Sequence, residues 1–299
     1  MKILVPVDGS PYSANAVDFV ASRSTLIGAE PHIELLNVQV PVPQRAARVV
    51  GKEVITGYYE DEAKKALKPA AVRLAKAGID AIARHVVGSP AEKIAEVADG
   101  KDVDLVVMGS HGRSALKGLL LGSVTNAVLA QTKKPMLILR AKAAPSGDAL
   151  KVGIAVDGSK FGRAAVRYAL KHRDLFGAGA QFNLIHVASD YAGAIMPDMA
   201  GMALPALSEA EVLELQKKEF NSAVHPLRTL FAKAGITPQE ICLVGNAGDE
   251  IAAYAKKKKL DVLILGSHGY GAFKAAVMGS TATRVAAQGN VPLLLVREA

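Results

Sequence analysis

Asp104-Leu-Val-Val-Met-Gly-Ser-His-Gly-Arg113 and Asp261-Val-Leu-Ile-Leu-Gly-Ser-His-Gly-Tyr270 are two copies of one pattern: an acidic residue, four apolar residues, then Gly-Ser-His-Gly. After nine intervening residues beyond the second glycine, each copy reaches Gly-Ser, at Gly122-Ser123 and Gly279-Ser280. The apolar runs are continuous rather than alternating, which suits a parallel strand covered on both faces. A glycine-rich turn that leaves a buried strand and enters a helix is the usual backbone of a phosphate cradle.

The duplication extends outward from these two stretches over nearly the whole chain. Ile3-Leu-Val-Pro-Val-Asp8-Gly-Ser10 matches Val152-Gly-Ile-Ala-Val-Asp157-Gly-Ser159 at an offset of 149, and Ile33–Val38 matches Phe182–Val187 at the same offset. From Gly88 and Gly245 onward the offset is 157, so the second half carries about eight extra residues between its second strand and the next helix. Two domains follow, 1–142 and 150–299, joined by a linker at 143–149 that contains Pro145, Ser146 and Gly147. In each, short apolar strands alternate with helical patterns, as in βαβ units. The first half predicts strands near 2–7, 32–38, 82–87, 103–108 and 136–140, with helices near 11–27, 60–77, 90–99 and 113–131. Ser10 and Ser159 stand where N-caps of the first helices belong. The expected fold class is α/β: two tandem, doubly wound, five-stranded parallel-sheet domains of Rossmann-like type. The last strands, Met136–Leu139 and Leu293–Val296, are apolar sheet edges whose mutual pairing would make the chain a pseudo-dimer.

Composition narrows the function classes. The chain has 299 residues, half of them hydrophobic, but no apolar run exceeds strand length, which argues against a membrane span. Met1–Val7 leads straight into a strand without a signal-peptide pattern, and a single cysteine rules out an intrachain disulfide framework. A cytoplasmic protein is expected, with Cys242 a buried, inert thiol. The net charge of +8 is spread over both halves, with 19 basic and 14 acidic residues before Ser146 and 17 and 14 after it. The run Lys256–Lys259 reads as the favourable cationic end of a helix. With no Trp and no aromatics interleaved with basic residues, nucleic acid is a weak candidate partner.

Ligands of doubly wound sheets bind at the carboxyl ends of the strands. That rule brings Asp8 or Asp157, the segment after Val38 or Val187, and the glycine turn to one edge. Backbone N–H groups of the glycines approach phosphate oxygens where side chains are missing, and the Ser123 and Ser280 hydroxyls add hydrogen bonds. Lys117 and Lys274 stand at equivalent positions between the glycines, either as extra cations or as solvated side chains. His111 and His268 lack a second ligand at zinc spacing and read as structural or solvent-facing, so no metal site is assigned. The insertion Tyr191–Leu207, with Met196, Met199 and Met202, reads as a flexible segment packing on its own domain.

Neither the P-loop nor the Gly-x-Gly-x-x-Gly fingerprint occurs. Instead the Gly-x2-Gly-x9-Gly-Ser motif, Val7-Asp8-Gly9-Ser10 and Met108-Gly-Ser-His-Gly-Arg113 resemble the universal stress protein family. Gly88-Ser-Pro90 with Ile94 and Lys134-Pro-Met-Leu-Ile-Leu-Arg140 add to the resemblance, which covers both halves. It implies a tandem member of the ATP-binding type, a stress-response protein in which nucleotide acts as a conformational or partner switch. The residues implied for ATP are Asp8, Val38, Met108, Gly109, Gly112, Arg113, Gly122, Ser123 and Val124 in the first half. In the second they are Asp157, Val187, Leu265, Gly266, Gly269, Gly279, Ser280 and Thr281. Tyr270 replaces the expected Arg, Ala155 stands where Pro6 does, and Gly245-Asn-Ala-Gly248 lacks a proline, so the second site departs further from the pattern. The resemblance further implies Mg²⁺ with the ATP, a homodimer, and a protein partner not named by the sequence. No catalytic residue is assigned, and a nucleotide-independent scaffold or a slow ATPase are the alternative readings.

Overall fold

Both halves build one ten-stranded sheet in the computed structural model, which describes residues 1–23, 32–100, 102–112, 121–140, 144–191, 207–267, 278–289 and 291–297. The first half runs β1 (Lys2–Pro6), α1 (Pro11–Ala21), β2 (His32–Gln39), α2 (Gln44–Val50), α3 (Lys52–Lys76), β3 (Ala81–Val87), α4 (Pro90–Gly100), β4 (Leu105–Gly109), α5 (Ser123–Gln131) and β5 (Met136–Leu139). The second runs β6 (Lys151–Ala155), α6 (Lys160–Lys171), β7 (Gln181–Ala188), α7 (Glu209–Lys233), β8 (Gln239–Val244), α8 (Ala247–Lys258), β9 (Val262–Gly266), α9 (Ser280–Gln288) and β10 (Leu293–Val296). Strand order is β3-β2-β1-β4-β5-β10-β9-β6-β7-β8, parallel within each half.

The continuous apolar strands are explained by two helical layers. Leu105 and Val107 enter one core cluster while Val106 and Met108 enter the other, so a single strand feeds both faces of the sheet. The acidic residue that opens each run has a different task. The Asp104 carboxylate accepts from the Lys2 N–H at 2.8 Å, and Asp261 does the same for Lys151 at 2.8 Å, which fastens the start of the first strand to the fourth. Ser10 and Ser159 cap α1 and α6, accepting from the N–H groups of Ser13 and Gly162. Lys256, Lys257 and Lys258 form the last turn of α8.

Two expected helices differ in extent. α3 begins at Lys52 rather than near residue 60, and α2 precedes it. The buried residues of α3 start only at Ala63, and α2 buries none, so residues 44–60 show no core-facing periodicity to read. α1 ends at Ala21 with Ser22 as its C-cap, the Ser22 hydroxyl donating to the Phe19 carbonyl; residues 24–27 of the expected helix lie outside the described residues. Cys242 is also a correction: it lies exposed on β8, an outermost strand of the sheet with alternate residues facing solvent. Among the described residues no helix is long and apolar enough to cross a membrane.

The halves meet at β5 and β10, which pair antiparallel with Leu137 opposite Leu294. Both strands are wholly buried. The join carries a reciprocal pair of side-chain bonds between residues related by the 157-residue offset. Arg140 donates to the Ala286 and Gly289 carbonyls at 2.8 and 3.1 Å, at the end of α9, and Arg297 donates to the Leu129 carbonyl in α5. Each arginine leaves the last strand of one half to bond the final helix of the other. Burial pushes both guanidinium groups below their ordinary range, which marks how far these charges are withdrawn from water. Arg140→Ala is expected to lose about 1.5–3 kcal/mol, the usual worth of hydrogen bonds to a charged group. Urea denaturation checks this; a loss below about 0.5 kcal/mol would contradict the role.

Candidate functional site

Three carboxyl-terminal strand ends and one helix start converge on a cleft of about 360 Å³ in the first half. β1 contributes Pro6 with Val7 and Asp8 after it, β2 contributes Leu36 to Gln39, and β4 contributes Met108 and Gly109. His111 and Gly112 follow β4, and Gly122 to Thr125 open α5. Of the first-half residues expected at the site, Asp8, Val38, Met108, Gly109, Gly112, Gly122, Ser123 and Val124 all line this cleft. Arg113 and Lys117 lie outside the described residues.

The two kinds of helix start differ in a way that bears on chemistry. α1 begins under a serine hydroxyl that uses one of its free N–H groups, whereas α5 begins at Gly122, which has no side chain to do so. The first N–H groups of a helix have no intrahelical partner, and together with the aligned peptide dipoles they attract an anion. α9 begins in the same manner, at Gly279.

The glycines then separate by role. The Gly122 N–H donates to the Ser110 carbonyl at 2.7 Å, and the Gly279 N–H to the Ser267 carbonyl at 3.0 Å, so this third glycine closes the loop onto the strand end. Ser123, Val124 and Thr125, the first residues of α5, line the cleft, and the first N–H groups of a helix have no partner within it. A Cβ at Gly109 would fall 2.6 Å from the Tyr12 carbonyl carbon, and one at Gly266 would fall 2.7 Å from the Phe161 Cβ. The first glycine of each motif therefore admits the helix that follows β1 or β6. At Gly112 the neighbour is a carboxylate that lines the cleft: a Cβ would lie 2.8 Å from Asp8 Oδ2. The other Asp8 oxygen accepts from the Ser10 N–H at 3.0 Å.

Several lining residues are not among those expected to bind. Asn37 donates to the Val7 carbonyl at 2.7 Å, and its own Oδ1 accepts from Gln39 Nε2 at 2.5 Å. Thr125 Oγ1 donates to the Gly109 carbonyl at 3.0 Å, linking the start of α5 to the end of β4. His111 lines the cleft with Nδ1 3.1 Å from Ser110 Oγ and its ring 5.3 Å from that of Tyr12. Asn37 and Gln39 are signalled in the sequence only by their place at the end of β2 and Thr125 by its place after Gly122-Ser123, whereas His111 stands inside the motif and reads there as structural or solvent-facing.

In the second half Asp157 accepts from the Ser159 N–H at 3.0 Å, as Asp8 does from Ser10. Leu265 is buried and Gly266 ends β9, Val187 lies near the end of β7, and Ser280 and Thr281 open α9 after Gly279. These residues repeat the first-half placement on β6, β7, β9 and α9. His186 replaces Asn37 and keeps its bond, with Nδ1 2.9 Å from the Val156 carbonyl. Gly269, His268, Tyr270 and Lys274 lie outside the described residues, as do Met196, Met199 and Met202.

Comparison with known proteins gives a consistent result. The model of a family described as the universal stress protein family matches residues 1–140 and again 150–297. A universal stress protein of Methanocaldococcus jannaschii is 39% identical over 82 residues, 27% of this chain and about half (51%) of that protein. One of Bacillus subtilis is 32% identical over 147 residues, 46% of this chain and 98% of its own length. The crystal structure of a universal stress protein from Archaeoglobus fulgidus covers 100% of this chain and 98% of its own with a TM-score of 0.71, at 21% identity, a likeness of fold.

Proposed function

Because the chain belongs to the universal stress protein family, we propose that it is a stress-response protein that binds ATP, and that nucleotide occupancy sets its conformation or its choice of partner. The observation that carries the reading is the uncapped start of α5, which opens into a cleft floored by Asp8, Gly112 and apolar side chains of β2 and β4. Ser123 and the N–H groups behind it hold phosphate oxygens there. Asp8 accepts from ribose hydroxyls, and Val38 and Met108 pack on the base. Residues 1–142 and 150–299 act as two such units joined by 143–149, with Asp157, Val187, Leu265, Gly266, Gly269, Gly279, Ser280 and Thr281 forming the second site.

Asp8 is the one carboxylate among the described residues lining the cleft. Among the described residues no three His, Cys, Asp or Glu side chains are grouped to hold a metal. Mg²⁺ therefore enters this proposal with the phosphates rather than in a site of its own. The same reading makes the protein cytoplasmic and able to form a homodimer. The scaffold alternative is disfavoured because all three motif glycines and the open helix start are retained in both halves.

The test is nucleotide content and binding. Protein stripped of nucleotide and titrated calorimetrically with ATP and Mg²⁺ is expected to bind two equivalents per chain, and the Gly269→Asp variant one. Absence of binding at millimolar ATP overturns the reading and leaves a nucleotide-independent scaffold.

A further inference from the structure

Tyr58 lies on α3 with half of its surface (52%) exposed, yet it lines the cleft. An aromatic ring contributes most when covered, so a half-bare one at the mouth of a cavity is not explained by packing within the fold. Its neighbour fixes its place. The Tyr59 hydroxyl accepts from the Val42 N–H at 2.7 Å and straps the segment after β2 to α3. The two tyrosine rings stand 5.9 Å apart at 54°, so the strap leaves Tyr58 at the rim.

The surroundings of Tyr58 define what it meets. Val38, Val40, Pro90 and Ile94 line the same cleft and supply an apolar wall. β2 is two strands away from β4 in the sheet, about 10 Å at normal strand spacing, which separates Val38 from the strand that leads into the Gly112 turn. One end of the cleft therefore presents N–H groups for an anion, and the other an aromatic ring and aliphatic side chains.

We propose that Tyr58 is the base-stacking residue of the first site and that it sets a preference for purine over pyrimidine nucleotides, an inference that rests on the nucleotide reading above. A purine offers the larger π-face, and the planar ring of Tyr58 needs no hydrogen-bond code to favour it. At the 157-residue offset the second half has Leu215, which is apolar without a π-face. The two sites thus differ in base selectivity, with the first the more selective.

The experiment compares ATP and CTP binding, each with Mg²⁺, in wild type, Tyr58→Phe, Tyr58→Leu and Tyr58→Ala. All four carry Gly269→Asp so that the first site is read alone. Tyr58→Leu and Tyr58→Ala are expected to weaken ATP about tenfold or more and CTP by less, so the ATP-to-CTP ratio falls; Tyr58→Phe retains it. The position is exposed, so thermal midpoints stay unchanged. ATP quenches tyrosine emission in wild type, and that quench shrinks in Tyr58→Phe while binding persists. Unchanged ATP affinity and an unchanged ratio in Tyr58→Leu overturn the stacking role and leave nucleotide binding standing. Absence of binding by the parent chain overturns both.

Discussion

Gly112→Asp is expected to weaken ATP binding at the first site by at least about a hundredfold while the protein stays folded. A Cβ at this position would lie 2.8 Å from Asp8 Oδ2, so the new carboxylate must sit beside an existing one. Two like charges a few ångströms apart repel, and both then face the phosphates of the ligand. A loss of about 3 kcal/mol corresponds to roughly that hundredfold. The collision is with the end of a side chain rather than with backbone, so Asp8 can turn aside and the fold survives. Calorimetry should lose one equivalent of ATP per chain, with far-UV circular dichroism unchanged. Wild-type affinity in this variant would show that the ligand does not pass Gly112.

Leu294→Ala is expected to cost about 2–5 kcal/mol of unfolding free energy, the range for emptying a buried leucine site. Leu294 is fully buried, lies opposite Leu137 in the antiparallel pair, and shares a core cluster with residues of both halves. Neighbouring elements are rigid strands that relax little into a cavity, which places the effect in the upper part of that range. Val49→Ala is the matched control, since Val49 is 85% exposed and should change stability by less than about 0.5 kcal/mol. Urea unfolding followed by circular dichroism distinguishes them. A loss under about 1 kcal/mol at Leu294 would mean that the β5–β10 join is not part of the cooperative core.

The architecture was legible where burial imposes a period. The continuous runs Leu105–Met108 and Met136–Leu139 announced strands covered on both faces, and the offset repeat announced two equivalent units. The cleft was legible to the extent that its residues sit in glycine motifs. Asn37, Gln39 and Tyr58 were not, because they contribute through strand register and the overhang of α3, for which a local pattern has no sign. The amino-terminal part of α3 escaped for the related reason that its apolar residues, such as Val54, face solvent. Cys242 was misplaced because an apolar segment reads alike at the centre and at the edge of a sheet; only strand order tells them apart. The division of labour among the glycines likewise arises only in the folded chain, where Gly109 and Gly112, equivalent within the motif, border the Tyr12 backbone and the Asp8 carboxylate.

The antiparallel join of β5 and β10 has a consequence for how such a protein can change over time. In a symmetric dimer of identical subunits, every substitution is present twice and alters both sites together. Here one covalent chain supplies both sides of the join, at the high effective concentration that a short connection gives. Each half can therefore accept its own substitutions while its neighbour holds a different residue. Tyr58 opposite Leu215, and Asn37 opposite His186, are differences of that kind, and a gene for a single repeat could not hold both members of either pair.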